Sequence, residues 1–346
     1  MARFQLGLSA DFTKPDGAPA FPMFDLSPLD KAPNLDWRFV PVTEGRIAAA
    51  DMQGLDALIL LGATFDADSF PGDDRLSLIA RFGVGYDTVD VDACTENDVA
   101  LVITPNGVRR PVAASIITMI LALSGKLLQK DRLTRQGPSG WAQKADYMGH
   151  GIVGKTLGSI GVGNIGAEMF RLAQPFGMNF IAADPFADAA TAADLGITLT
   201  SVDDVFRQAD FLTINCPLTP DTEKLVNADR LAQMKPTAYV INTARGPIVD
   251  EAALITALQS GQIAGAGLDV FEQEPSPADN PLYQMDNVIV TPHALCWTDQ
   301  CFAGIGADDV AAVLAVAKGD VPVGIVNRGI TDSPGWQAKL GRYGAG

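Results

Sequence analysis

The chain has 346 residues, 47% of them apolar, and a formal charge of −16 at pH 7. That length exceeds one ordinary domain, and that apolar content is enough for a packed core, which excludes a disordered chain. The acidic balance weighs against a nucleic-acid partner.

Residues 1–109 read as a first α/β unit. The opening MARFQLGLSADF lacks a long apolar core, so no secretory signal is expected. Short apolar runs at 4–8, 37–40, 57–61, 77–80 and 100–103 predict strands. Between the first two, residues 11–33 are rich in Pro, Asp and Ser and predict a long loop, a feature often tied to function. The stretch RFGVGYDTVD follows at 81–90. Its glycines around Val84 allow either an ordinary strand-end turn or one whose outward N–H groups hold an anion.

Pro111 is expected to open a helix, VAASIITMILALSGKLLQK, with proline in the permitted first turn. Its longest apolar run, 116–123, is too short to span a bilayer, so no membrane partner is expected. Arg109 and Arg110 precede it, either as a solvated basic start or as ligands for a second anionic group of a substrate. A Gly-rich connector, RQGPSGWAQKADYMGHG, leads on and places His150 in a loop.

A second α/β unit then begins. A strand at 157–161 runs into Gly161-Val162-Gly163-Asn164-Ile165-Gly166 and a helix, and a strand at 179–183 ends at Asp184, 18 residues past Gly166. In that order these parts form a dinucleotide fingerprint. The first glycine permits the turn, the second lets backbone approach a pyrophosphate, and the third allows close helix–strand packing. The helix start favours phosphate, and Asp184 would accept from ribose hydroxyls and repel a 2′-phosphate, so NAD is expected over NADP.

Further strands are predicted at 211–215, 238–241, 264–270 and 288–290, with a helix between an Asp250 N-cap and Gly261. Arg245, Glu274 and His293 each follow one of the last three strands. Parallel strands share a carboxyl edge where ligands bind, so the three residues are expected to converge. Arginine clamps a carboxylate bidentately, histidine exchanges a proton near neutral pH, and glutamate favours and orients the imidazolium. Singly, each has a blander reading as a surface or packed residue; together they suit reduction of a 2-oxo acid. A last helix over 301–319 returns the chain toward the first unit, and the Gly-rich tail after Asn327 is expected on the surface. The four cysteines form no CxxC pair, which suggests reduced thiols in the cytoplasm; no metal site is expected.

The chain resembles the D-isomer-specific 2-hydroxyacid dehydrogenase family from about residue 55 to 327. The likeness is carried by RFGVGYDTVD (81–90), GKTLGSIGVGNIG (154–166), CPLTPDT (216–222), INTARGPIVDEAAL (241–254), GAGLDVFEQEP (265–275) and TPH (291–293). The resemblance implies two Rossmann-like domains with doubly wound parallel sheets. A flavodoxin-like substrate domain would span 1–109 plus 299–346, and an NAD-binding domain 110–298. It implies that Arg245 binds the substrate carboxylate, that His293 is the acid/base assisted by Glu274, and that Asp269 contacts the nicotinamide end. Pro217, Thr222, Thr243 and Ala244 would lie along the cofactor, with Val84 and Gly85 on the substrate carboxylate. Such enzymes are usually homodimers. The chain departs from the family pattern at Ala114 and Ser115, at 106–110, and at Ala294-Leu295-Cys296-Trp297, where Trp297 would shape either the substrate pocket or a subunit contact. The expected reaction is NAD-dependent interconversion of an (R)-2-hydroxy acid and its 2-oxo acid, of the glyoxylate or hydroxypyruvate type or related. The alternatives are a corepressor-like dinucleotide sensor, which an exposed apolar peptide groove would mark, and a phosphite dehydrogenase, which would keep Arg, Glu and His.

Overall fold

The computed structural model describes residues 3–343. They divide into two compact units, Met1–Val108 with Trp297–Gly346, and Arg109–Cys296.

The first unit holds a five-stranded sheet of β1 (Phe4–Ser9), β2 (Leu35–Val40), β3 (Ala57–Leu60), β4 (Leu78–Arg81) and β5 (Ala100–Ile103). Its order is β2-β1-β3-β4-β5 and every pairing is parallel, the flavodoxin-like arrangement. The central β3 is buried at every position, as a strand covered on both faces must be. Residues 11–33 are not an open loop. Phe12, Phe24 and Leu29 are buried, and a short helix spans Ser27–Asp30. Aromatic spacing there follows no period of two or 3.6, so no strand or helix signal marks it.

The tail also differs from expectation. The helix Pro334–Gly341 docks on the first unit with Trp336 wholly buried and its indole Nε1 donating to the Ser77 carbonyl at 2.9 Å. Beside it the Lys339 ammonium donates to the carbonyls of Leu76 and Asn97 at 3.0 and 2.6 Å and pairs with Asp74. Trp336→Ala is expected to cost about 3–5 kcal/mol of stability, the usual range for emptying a buried Trp site. Chemical denaturation would check it, and an unchanged midpoint would show that the tail contributes nothing to the unit.

The second unit holds seven parallel strands: β6 (Thr156–Ile160), β7 (Asn179–Ala183), β8 (Ile197–Leu199), β9 (Phe211–Ile214), β10 (Tyr239–Asn242), β11 (Gly265–Leu268) and β12 (Val288–Val290). Their order is β12-β11-β10-β9-β6-β7-β8. The chain winds outward from β6 to β8, then returns to the other side of β6 with β9. Such a reversal is where doubly wound sheets bind dinucleotides, at the strands' carboxyl ends. The edge strand β8 has no counterpart in the sequence reading; it is three residues long and mostly exposed, so it carries almost no apolar signal.

The helix expected to open at Pro111 instead runs Pro105–Ser124, with Pro111 inside it. Asp308, far away in the chain, faces its start: burial raises the Asp308 pKa, and the backbone N–H groups of Gly107 and Asn106 act against that rise. At 20 residues it is long and apolar enough to cross a membrane by length and composition, contrary to the shorter stretch expected. Ala113, Ile116, Met119, Ile120 and Leu123 are nonetheless buried in one core cluster with Leu157 and Ile241, so this is a core helix of the second unit.

Candidate active site

The fingerprint turn is built as its glycines require. Gly161 has φ +98°, and a side chain there would meet the Asn215 backbone at 2.7 Å. A Cβ on Gly163 would meet nothing within 4 Å, so the outer face of the turn is open to a ligand. Gly163 is the N-cap of the helix Asn164–Ala173, whose first N–H groups carry the positive end of its dipole. At the end of β7 the Asp184 carboxylate accepts from the N–H of Val162 at 2.7 Å and of Phe186 at 2.8 Å. Those bonds aim the carboxylate across the turn and leave lone pairs for ribose hydroxyls. An open glycine turn, a ten-residue helix and a fixed carboxylate suit a dinucleotide pyrophosphate and ribose. The other expected cofactor positions also follow carboxyl ends of strands. Thr222 donates to the Pro217 carbonyl at 2.7 Å after β9, and the Ala244 N–H, beside Thr243 after β10, donates to Asn242 Oδ1 at 3.0 Å.

The proposed acid/base trio lies at the ends of three adjacent strands, β10, β11 and β12. His293 Nδ1 and Glu274 Oε2 are 2.7 Å apart, and both side chains are partly exposed. Glu274 also accepts from the Phe271 N–H at 2.9 Å. Burial works to raise the Glu274 pKa. The His293 ring, the Phe271 N–H and the charges of His293 and Arg245 together outweigh it and hold the carboxyl below its usual range. Arg245 is half-buried and its Nη1 donates to the Ala244 carbonyl at 2.7 Å. The next residue, Gly246, lies so close to Phe271 that a Cβ would sit 1.7 Å from its carbonyl oxygen. Only glycine lets the Arg245 turn lie against the Glu274 loop.

Asp269 has a geometry the sequence did not disclose. It is buried, and its Oδ1 accepts from the Thr291 hydroxyl at 2.5 Å and from the N–H groups of Ala294 and Leu295 at 3.0 and 3.1 Å. It thereby clamps both sides of His293, whose backbone sits in the left-handed region at φ +54°.

Arg110, open between a solvated helix start and an anion ligand, makes an ion pair within its own unit. Its Nη1 is paired with the buried Glu168 at 2.6 Å, and Glu168 also binds Arg171 at 2.9 Å. The hydrogen bonds of Arg110 and Arg171 hold Glu168 below the usual carboxylate range against its burial. His150 lies in a loop as expected, its Nδ1 3.0 Å from the Tyr239 hydroxyl. In the first unit, the Gly83 N–H is bound by Thr104 Oγ1 at 2.9 Å, whereas the N–H groups of Val84 and Gly85 make no hydrogen bond among the described residues. That pattern favours the anion-holding version of the turn.

Removing the Glu274 charge tests the pair. Because its pKa is depressed in the fold, the stabilisation it draws from its partners is present above the unfolded value, about 4.3, and is lost as pH falls through the lower folded value. The Glu274 carboxyl is therefore ionised throughout the neutral range. Glu274→Gln keeps an acceptor but removes that charge, so the variant is expected to be less stable than the wild type at pH 7, with the gap closing as pH falls through the depressed Glu274 value. Equal midpoints of chemical denaturation at pH 7 would contradict this account of the pair.

A doubly wound parallel sheet with this turn and carboxylate defines a dinucleotide-binding oxidoreductase fold. Residues 117–294 match the family model described as D-isomer specific 2-hydroxyacid dehydrogenase, NAD binding domain. The chain is 32% identical over 317 residues to a glyoxylate reductase of Korarchaeum cryptofilum, covering 90% of this chain and 96% of that one. It is 38% identical over 275 residues to a D-3-phosphoglycerate dehydrogenase of Mycobacterium tuberculosis, covering 79% of this chain and 51% of the relative. The chain thus spans about half the length of that enzyme. A glyoxylate reductase structure from Paecilomyes thermophila superposes with a TM-score of 0.79 at 28% identity, covering 94% of this chain and 99% of the other. The chain belongs to the D-isomer-specific 2-hydroxyacid dehydrogenase family, NAD-dependent oxidoreductases that interconvert 2-hydroxy and 2-oxo acids.

Proposed function

We propose that the chain reduces a 2-oxo acid to the (R)-2-hydroxy acid, and oxidises it in reverse, with Arg245, Glu274 and His293 as its acting residues. The observation that carries this is the 2.7 Å His293–Glu274 contact at strand ends adjacent to that of Arg245. NAD, when bound, supplies the hydride donor and acceptor. The Arg245 fork holds the substrate carboxylate and stabilises negative charge developing on the carbonyl oxygen. His293, protonated on the nitrogen facing the substrate, gives that oxygen its proton, while Glu274 holds the opposite nitrogen and offsets the ring's positive charge. Asp269 sets the backbone that carries His293. Gly161, Gly163, Asn164, Ile165, Gly166 and Asp184 take the pyrophosphate and ribose, with Pro217, Thr222, Thr243 and Ala244 further along the cofactor. The unit made from both chain ends serves as the substrate domain, and the Val84 and Gly85 N–H groups of its glycine turn are free to hold an anionic group.

The test is NADH consumption by the purified protein against a panel of 2-oxo acids. Turnover is expected with NADH and not with NADPH; no turnover of any member while NADH binds would defeat the proposal.

The working form proposed is a cytoplasmic homodimer joined through the second unit. Leu127, Leu128, Trp141, Met148 and Val153 of that unit are all exposed, more apolar surface than a monomer normally leaves in one segment. Sedimentation as a monomer at micromolar concentration would count against it. Cys94 and Cys216 are unbridged thiols, which supports the cytoplasm; recovery in a secreted or membrane fraction would argue otherwise.

A further inference from the structure

A chain of buried polar groups lies beneath the fingerprint turn, wholly inside the second unit. Ser159 on β6 and Thr213 on β9 are register neighbours and fully buried. Two residues earlier on the same strands, and so on the same face, stand Leu157 and Phe211, members of one apolar core cluster. Hydroxyls in such a layer cost stability unless each is paired, and here each is. Asn215, just past β9, donates through Nδ2 to Ser159 Oγ at 2.9 Å and to Thr213 Oγ1 at 3.0 Å. A hydroxyl that accepts from an amide keeps its one hydrogen for another acceptor. Thr213 gives its hydrogen to the Gly158 carbonyl at 3.1 Å, within β6. Ser159 gives its own to the Gly161 carbonyl at 2.6 Å, in the turn.

The two branches differ in consequence. Gly161 is buried, and among the described residues no backbone N–H donates to its carbonyl, so the Ser159 hydroxyl satisfies it. The same peptide unit carries the Val162 N–H, which donates to Asp184 Oδ2 at 2.7 Å. A peptide is planar, so a hydrogen bond at its carbonyl fixes the direction of its N–H. At Gly161, with φ +98° and no Cβ, little in the residue itself restricts that plane. The plane is held at one end by Ser159 and at the other by the carboxylate that faces the ribose site. A network serving only to satisfy buried hydroxyls would end inside the strands, as its Thr213 branch does.

We infer that Ser159, oriented by Asn215, is a positioning residue for dinucleotide binding: it sets the Gly161–Val162 peptide and through it the aim of the Asp184 carboxylate. The inference rests on the reading of residues 161–166 and Asp184 as the dinucleotide site. Without the hydroxyl, the buried Gly161 carbonyl has no donor, the peptide turns to find one, and the Val162 N–H leaves Asp184. The carboxylate then keeps its charge and loses its aim.

The experiment is fluorescence titration of the full-length protein with NADH, alongside chemical denaturation. Ser159→Ala is expected to weaken NADH binding by about threefold to tenfold, the worth of one hydrogen bond. Thr213→Val removes the other hydroxyl, a comparable buried bond that ends on Gly158, and should lower stability while leaving NADH affinity within about twofold of wild type. In an Asp184→Ala background, Ser159→Ala should add less than about a twofold loss, because the serine acts through that carboxylate. Equal losses of affinity in Ser159→Ala and Thr213→Val would mean a merely structural network and overturn the inference. A full further loss in the Asp184→Ala background overturns it as well. If Asp184→Ala binds NADH weakly and Ser159→Ala loses less than about threefold, the inference fails and the dinucleotide site stands. Unchanged NADH affinity in Asp184→Ala overturns both.

Discussion

Alanine at His293 is expected to lower kcat for 2-oxo acid reduction by about a hundredfold to ten-thousandfold, the range usual for a positioned general acid. NADH binding should survive, because the fingerprint turn and Asp184 lie at the ends of β6 and β7, on the far side of β9 and β10 from the strand that carries His293. The physical reason for the large loss is that hydride arriving at a carbonyl carbon leaves an alkoxide, and water at neutral pH is a poor acid for it. His293 is the titratable group held in place at that strand end, with Glu274 fixing its ring and Asp269 the backbone on either side. Steady-state rates and a fluorescence titration of NADH separate the two effects. A kcat within about threefold of wild type would remove His293 from the mechanism.

The second large effect is expected at Arg245. Arg245→Ala should lower kcat/KM by about a thousandfold, with a rise in KM for the acid as well as a fall in kcat, since in the proposed reaction one guanidinium both holds the carboxylate and stabilises the oxyanion. Arg245→Lys should recover only a small part, because an ammonium keeps the charge and loses the planar fork. The Gly246–Phe271 backbone contact that shapes the turn remains in both variants, so the fold is expected to be unchanged by circular dichroism. Full recovery by lysine would mean that charge alone suffices. An unchanged KM in the alanine variant would place the carboxylate elsewhere.

Local signals carried much of this architecture. Strands β1, β3, β5, β6, β7 and β9 to β12 are short apolar runs closed by turn residues, and each lies within a residue or a few of its expected place. The fingerprint was legible because its parts are contiguous: strand, three glycines, helix, strand and Asp184 follow one another within 30 residues or so of chain. The trio was legible for a related reason, since each member follows its own strand and parallel strands share one carboxyl edge.

What the sequence left open depends on partners distant in the chain. The helix start at Pro105 could not be read because the carboxylate facing its first N–H groups, Asp308, comes from another helix some two hundred positions later. The tail looked Gly-rich and exposed, yet Trp336 is buried because the Ser77 carbonyl waits for its indole N–H. Arg110 looked available for a ligand until Glu168, remote in sequence, took its charge. Asp269 looked like a cofactor contact, and its bonds to Thr291, Ala294 and Leu295 make it the support of the His293 loop. Phe12, Phe21 and Phe24 lay in a segment without periodicity, and only their rings against Phe82, Trp297 and Phe302 give that segment a role.

Periodicity, turn residues and strand ends are local properties, and they were enough to read the two parallel sheets, the glycine turn and the placement of Arg245, Glu274 and His293 at neighbouring strand ends. Tertiary structure decided which charged groups are already paired and which aromatic rings share a surface. Those depend on long-range contacts, and a side chain's pairing and exposure are set by neighbours that no stretch of chain can name.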